Sequence, residues 1–176
     1  MPHEPPRIRP MTLADCDRVS EIRVHGWQFA YDGLMPRSFL DALSVERDAA
    51  RRRARFGQAD GAVLNLVAER AGEVVGWSCH GPYRDGRLHT AEAELYALYL
   101  ATDHLGTGVG RALLQESVRR CAALGHDRMF LWVVRDNTRA RRFYERAGFR
   151  ADGAEEPFEV AGTAVPELRY VRQLPR

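Results

Sequence analysis

The chain contains no lysine: all 26 of its basic side chains, among 176 residues, are arginine. That absence removes the lysine of a phosphate-binding P-loop, the Schiff-base lysine of a pyridoxal phosphate enzyme and any catalytic side-chain ammonium. Cysteine is scarce. Cys16, Cys79 and Cys121 stand far apart and odd in number, which suits neither a disulfide framework nor a zinc site and reads as buried, inert thiols. The six histidines are scattered without H-x-x-x-H spacing, so no metal is expected. No stretch approaches the roughly 20 apolar residues of a membrane span. Met1-Pro2-His3-Glu4-Pro5-Pro6 lacks the basic start and apolar run of a signal peptide. The expectation is a cytoplasmic protein without a membrane partner. A net charge of +2 is too small to argue for nucleic acid as a partner. The run Arg51-Arg52-Arg53-Ala54-Arg55 reads as the solvated face of a helix rather than a basic patch.

With 45% hydrophobic and 28% charged residues, the chain has the make-up of an ordinary globular protein, and its length suits a single domain spanning 1–176. Ile8 to Pro10 predicts a short strand. Thr12, with Asp15 three residues on, predicts a helix start whose apolar spacing fades around Gly26. Pro36 opens a second helical segment carrying Phe39, Leu40, Leu43 and Val45. Residues 63–68 and 74–79, joined by Ala71-Gly72-Glu73, predict a hairpin. Arg84-Asp85-Gly86 predicts a turn. Glu94 to Leu100 predicts a strand, central because it is apolar on both faces beyond Glu94. A glycine loop then feeds a helix that stops near Gly125. Met129 to Val134 predicts a strand and Asn137 to Ala147 a helix. Two weaker strands, around Phe149 and over residues 167–171, finish the chain. This order implies one α+β domain with a mostly antiparallel sheet.

The segment Leu105-Gly106-Thr107-Gly108-Val109-Gly110-Arg111 is the most informative. Alternate glycines clear side chains from a turn at a helix start, where unpaired N–H groups and the positive helix end attract an anion such as a phosphate. Arg111 could add a charge-assisted contact. A P-loop would need GKS or GKT after the glycines, and here Arg111-Ala112 follows. A Rossmann fingerprint would sit in an opening βαβ unit, not after a hairpin. A third reading is a loop whose glycines serve only tight packing.

About 25 residues downstream stand Val133-Val134-Arg135-Asp136-Asn137, Ala140, Phe143-Tyr144-Glu145 and Gly148-Phe149. A strand, an R/Q-x-x-G-x-G/A loop opening a helix, a strand, then N-x-x-A-x-x-F-Y-x-x-x-G-F resembles the GNAT superfamily of N-acetyltransferases, over about residues 92–150. The family usually has arginine or glutamine where this chain has Leu105. The resemblance implies a three-layer α/β/α fold with a mixed, mostly antiparallel central sheet, and acetyl-CoA as co-substrate. It implies that Leu98, Tyr99 and Leu100 pair with the pantetheine arm and that Leu105, Gly106, Thr107, Gly108, Val109, Gly110 and Arg111 cradle the pyrophosphate. Asn137, Ala140, Phe143 and Tyr144 would line the thioester end.

Acetyl transfer to an amine needs a neutral nucleophile and a proton for the departing thiolate. Tyr144 matches the family position that often protonates the sulfur. Glu92, Glu94 and Tyr96 share one strand face, and two carboxylates about 7 Å apart would raise each other's pKa. Both are candidate bases, with Glu94 preferred. The resemblance places the acceptor pocket at the first two helices, implicating Trp27, Tyr31 and Tyr96, with Phe29 and His25 nearby; aromatic rings beside acids suit a cationic amine. The expected partner is a small-molecule amine or a peptide N-terminus acetylated by direct transfer. A non-catalytic acyl-CoA-binding module of the same fold is the alternative, and a nucleotide-binding interaction protein stands further behind. The sequence leaves open whether the chain forms a homodimer.

Overall fold

The computed structural model describes residues 5–58, 61–85 and 88–175, with Leu88 and His89 described in backbone only. In chain order the elements are β1 (Arg7–Pro10), α1 (Cys16–Ala30), α2 (Arg37–Asp41), α3 (Val45–Phe56), β2 (Leu64–Arg70), β3 (Glu73–Asp85), β4 (Leu88–Leu100), α4 (Val109–Ala123), β5 (Arg128–Val134), α5 (Thr138–Arg146), β6 (Arg150–Val160) and β7 (Thr163–Gln173). One seven-stranded sheet runs β1-β2-β3-β4-β5-β7-β6. Every pairing is antiparallel except β4 with β5.

Alternation along the strands sends side chains to two covered faces. Val67 and Trp77 pack with Cys16, Val19 and Ile22 of α1 on the front. Leu66, Ala68 and Val75 pack with Val109 and Leu113 of α4 on the back. Farther along the back, Met129, Leu131, Val133 and Tyr170 share a core with α4 and with Ala140, Phe143 and Tyr144 of α5. The result is a three-layer α/β/α sandwich around a mixed, mostly antiparallel sheet. The β2–β3 and β6–β7 hairpins turn on Ala-Gly pairs with positive φ, Ala71-Gly72 and Ala161-Gly162, the signature of a turn whose twist matches the strands it joins.

Thr12 and Asp15 form a reciprocal capping box ahead of α1. The helix does not end near Gly26 but continues to Ala30. A Cβ at Gly26 would lie 2.9 Å from Tyr99 Cδ1, so the glycine there is a packing requirement of α1 on β4 and not a stop. The segment opened by Pro36 is two helices, because Ser44 accepts from the Arg47 N–H and starts α3 afresh at Val45. The arginine run lies on α3 and is only partly solvated. Arg52 stacks 4.4 Å over the Trp77 ring, pairs with Asp48 and donates to Ser20, while Arg53 pairs with Asp17. β6 and β7 are longer than their pattern suggests, at 11 residues each. The turn expected at Arg84-Asp85-Gly86 falls partly on Gly86, outside the described residues; β3 continues as strand through Asp85.

No helix among the described residues is long and apolar enough to cross a membrane. Among them, no group of three or more His, Cys, Asp or Glu is placed to hold a metal ion. Cys16 and Cys121 are buried and Cys79 half-buried, and burial pushes the Cys79 and Cys121 thiols up to about 12, so all three behave as small apolar side chains.

Candidate active site

The site begins with a fork in the sheet. β4 and β5 pair only at Ala93↔Met129 and Glu94↔Phe130, so from Leu95 to Leu100 the β5-facing backbone of β4 has no strand partner. A β-bulge on β4 at Tyr96, between the pairs Ala97↔Cys79 and Leu95↔His80, marks where the strand changes course. Unpaired backbone N–H and C=O groups are met by water or by a ligand that offers matching donors and acceptors, as an amide does.

Above the open end of the fork lies the glycine loop. Gly106 and Gly108 have φ of +77° and +88°, and a Cβ built on either meets nothing within 4 Å. Packing therefore does not explain them; the backbone conformation does, and it leaves the outer side of the loop clear. Gly110 is different. A Cβ there would lie 3.4 Å from Leu100 Cδ1 and 3.5 Å from the Phe143 ring, so it lets α4, β4 and α5 converge. The N–H groups of Val109, Gly110 and Arg111 open α4 and, among the described residues, donate to no carbonyl. Arg111 is exposed and carries no ion pair among the described residues. Backbone donors, a helix start and a guanidinium without an ion pair among the described residues together have the chemistry that suits an anion. Leu105 contributes extended backbone but no charge. Sequence reasoning missed Arg70, at the end of β2, whose Nη2 donates to the Thr107 carbonyl at 2.9 Å and braces the loop from below.

Three phenols lie near enough beside the fork to sense one another's charge. Tyr31 and Tyr99 join by a hydroxyl–hydroxyl hydrogen bond of 3.1 Å from the front. Tyr144 enters from α5 at the back, its ring edge-on to Phe143 and Phe149. Among the described residues its hydroxyl has no partner. Burial first, and the neighbouring Tyr31 second, push the Tyr144 phenol well above its ordinary range, so it holds its proton at neutral pH and can donate it. Asn137 caps α5 through its Oδ1, which accepts from the Ala140 N–H at 3.2 Å. Ala140 and Phe143 pack on the back core. Leu98 and Leu100 turn their side chains to the α4 face, leaving their backbone toward the fork.

The expected carboxylates are placed differently from one another. Glu94 is only 3% exposed and lies on the front face. Arg84 grips it three times, donating from its backbone N–H and its Nη2 at 3.0 Å each and from its Nε at 3.4 Å. Glu92 pairs with Arg128 at 2.6 Å. Tyr96 donates its hydroxyl to the Pro82 carbonyl and lies 3.9 Å beneath the Arg84 guanidinium. Trp27 stays at the front, edge-on to Tyr31 and 6.2 Å from Phe158 of β6. Phe29 is exposed under Arg139 of α5, and His25 is exposed on α1.

One carboxylate was not singled out from sequence. Glu167 stands opposite Val134 of β5 and opposite Glu156 of β6. Val165, two residues before it on the same face, packs with Val134, Trp27 and Tyr31, so Glu167 points to the front, beside the fork. Burial first, then the charges of Glu156 and Glu94, push its carboxyl up to about 7. The only advance signal was its alternation with Val165, Arg169 and Val171 on β7, which reads equally well as a solvated edge.

The profile of the acetyltransferase (GNAT) family matches residues 25–149. The chain is 26% identical to an uncharacterized N-acetyltransferase, YuaI, of Bacillus subtilis, covering 92% of this chain and 89% of that one. It is 34% identical to another, Rv2669, of Mycobacterium tuberculosis, covering 72% of this chain and 79% of the other. The fold matches the crystal structure of PaiA N-acetyltransferase from Thermoplasma acidophilum in complex with coenzyme A, with a TM-score of 0.75, 19% identity, and coverage of 97% of this chain and 99% of the other.

Proposed function

The chain belongs to the acetyltransferase (GNAT) family, an acyltransferase by descent, and from that premise we propose that it moves the acetyl group of acetyl-CoA directly to a primary amine of a small molecule or a peptide N-terminus. The observation that carries this reading is the occurrence together, at the parting of β4 and β5, of the β4 backbone without a strand partner, the glycine loop and a Tyr144 hydroxyl unpartnered among the described residues. A similar fold holds coenzyme A. No step calls for a metal.

The residues present fit the co-substrate. The pyrophosphate is taken by the N–H groups that open α4 and by Arg111, with Leu105, Gly106, Thr107 and Gly108 as the loop's spine. The pantetheine amides complete the ladder left open along Leu98, Tyr99 and Leu100. Asn137, Ala140 and Phe143 shape the end where the thioester lies. The deprotonated amine attacks the thioester carbonyl, the C–N bond forms and the C–S bond breaks. Tyr144 gives its proton to the departing thiolate and regains one released from the acylated nitrogen. Counted from the ammonium R–NH3+, the net products are the amide, coenzyme A with its thiol protonated, and one proton released to solvent. Trp27 and Tyr31 wall the acceptor side with ring faces that favour a cation.

Equilibrium binding of acetyl-CoA against ATP, followed by the kinetics of Tyr144→Phe, tests this reading. Acetyl-CoA binds and ATP does not. Tyr144→Phe lowers kcat about 10- to 1000-fold while leaving acetyl-CoA affinity near wild type. A wild-type kcat in that variant gives the thiolate another proton donor and reduces Tyr144 to packing. Tight binding with no turnover in the wild type would return the molecule to the non-catalytic acyl-CoA-binding alternative.

A further inference from the structure

Arginine crowds this molecule, and most carboxylates around the cleft are bound by one. Glu94 is held by Arg84, Glu92 by Arg128, Asp152 by Arg169 and Glu155 by Arg135. A carboxylate whose oxygens already accept from a guanidinium has fewer lone pairs free to meet an incoming ammonium. Glu167 stands apart: among the described residues it makes no ion pair and no hydrogen bond. Its place is set by two registers. On one side, pairing with Val134 puts it at the last residue of β5, on the free arm of the fork. On the other, pairing with Glu156 sets two carboxylates opposite each other on adjacent strands, an arrangement that costs stability unless a cation enters.

The surroundings point the same way. Around Glu167 stand Tyr31, the residue that follows α1, with Arg23 near its hydroxyl; Glu94 of β4, held by Arg84 of β3; Glu156 of β6; Arg169, two residues on along the same face of β7; and Arg135, just past β5, whose backbone N–H donates to the Pro166 carbonyl. Arg84, Arg135 and Arg169 are committed to Glu94, Glu155 and Asp152, and Arg23 to Asp48 and the Trp27 face. No arginine among them is left to neutralise Glu167. Tyr31, whose hydroxyl senses the Glu167 charge, is hydrogen-bonded to Tyr99, so Glu167 adjoins the same phenols that surround the thioester end.

We propose that Glu167, rather than Glu94 or Glu92, is the base that takes the proton of the acceptor ammonium, directly or through one water, and that Glu156 is a positioning residue that keeps Glu167 basic. The inference rests on the acetyltransferase reading above and assigns its missing proton acceptor. In the step, R–NH3+ gives one proton to the Glu167 carboxylate, leaving R–NH2 and a neutral Glu167. The amine then attacks the thioester as described, and Glu167 passes its proton to solvent before the next turnover. The acceptor enters as a cation, because only a cation both carries the proton to be removed and relieves the Glu156–Glu167 repulsion. Glu94 acts structurally, its charge buried against Arg84 at the base of the fork.

The test is a pH profile of kcat/KM for the wild type, Glu167→Gln, Glu156→Gln and Glu94→Gln with one primary amine that the wild type acetylates. The wild type shows an acidic limb near neutrality. Glu167→Gln loses about 10²- to 10⁴-fold at pH 7, lacks that limb and recovers as pH rises toward the amine's own pKa. Its KM for acetyl-CoA is unchanged. Glu156→Gln keeps the plateau but moves the limb to lower pH, a shift that loss of packing alone would not produce. A wild-type profile in Glu167→Gln, or loss of the limb in Glu94→Gln instead, overturns the assignment while leaving the acetyltransferase reading intact. If the wild type acetylates no amine at all, both fall together.

Discussion

At the scale of single residues, carboxylates committed to an arginine differ from the one left without an ion pair among the described residues. Glu94 and Glu92 looked equivalent in the alternation of β4, and only the positions of Arg84 and Arg128, from other strands, tell them apart from Glu167. The same environment that makes Glu167 basic should make it costly. Its carboxyl titrates at about 7 in the folded chain against an ordinary 4.5, so the folded state holds the proton more tightly than the unfolded one. Stability therefore falls as pH rises from about 4.5 to about 7 and stays reduced above that window. Glu167→Gln removes this loss. We expect the variant to match wild-type stability at pH 4 and to exceed it at pH 8 by on the order of 1 kcal/mol, allowing for solvent screening of a partly exposed group. Thermal melts at the two pH values, with a shift of about 2–4 °C at the higher one, check this. A variant less stable than wild type at pH 8 would mean that Glu167 has a favourable partner and is no free base.

At the scale of elements, the glycine loop and the fork do the positioning, and their legibility in the sequence differs. The loop was readable because its meaning is local: alternate glycines before a helix imply free N–H groups whatever surrounds them. It carries a prediction of its own. Gly108 has φ of +88° and open space where a side chain would project, so Gly108→Ala bears only the conformational cost, about 1 kcal/mol. Gly108→Glu adds a negative charge facing the proposed pyrophosphate site. Calorimetric titration should find acetyl-CoA binding weakened modestly in the first and abolished in the second, both folded. Undiminished affinity in Gly108→Glu would place the phosphates elsewhere. The fork was not readable. It arises where β4 and β5 part after two residue pairs, a tertiary event with no signature in either strand. For the same reason α1 was expected to stop near Gly26: the glycine answers Tyr99, 73 positions away in sequence and 2.9 Å away in space. β6 and β7 read as weak because β6 is an exposed edge whose charges are paired across strands, as Glu155 is with Arg135 and Asp152 with Arg169.

At the scale of the whole molecule, an acetyltransferase without lysine offers its own co-substrate no side-chain amine. Its three thiols are shielded, with Cys79 and Cys121 held protonated to about 12. Both facts keep the background low in the measurement that bears most directly on the central claim, that an acetyl group passes from acetyl-CoA to a cationic amine in the β4–β5 cleft. The measurement is release of coenzyme A thiol from acetyl-CoA across a panel of polyamines, aminoglycoside-like amines, amino acids and peptides, with the wild type and Gly108→Glu side by side. The account predicts amine-dependent release by the wild type, with mass spectrometry finding the acetyl group on the amine, and none by Gly108→Glu. Release that persists in a folded Gly108→Glu variant, or an acetyl group that never reaches an amine nitrogen, would contradict it.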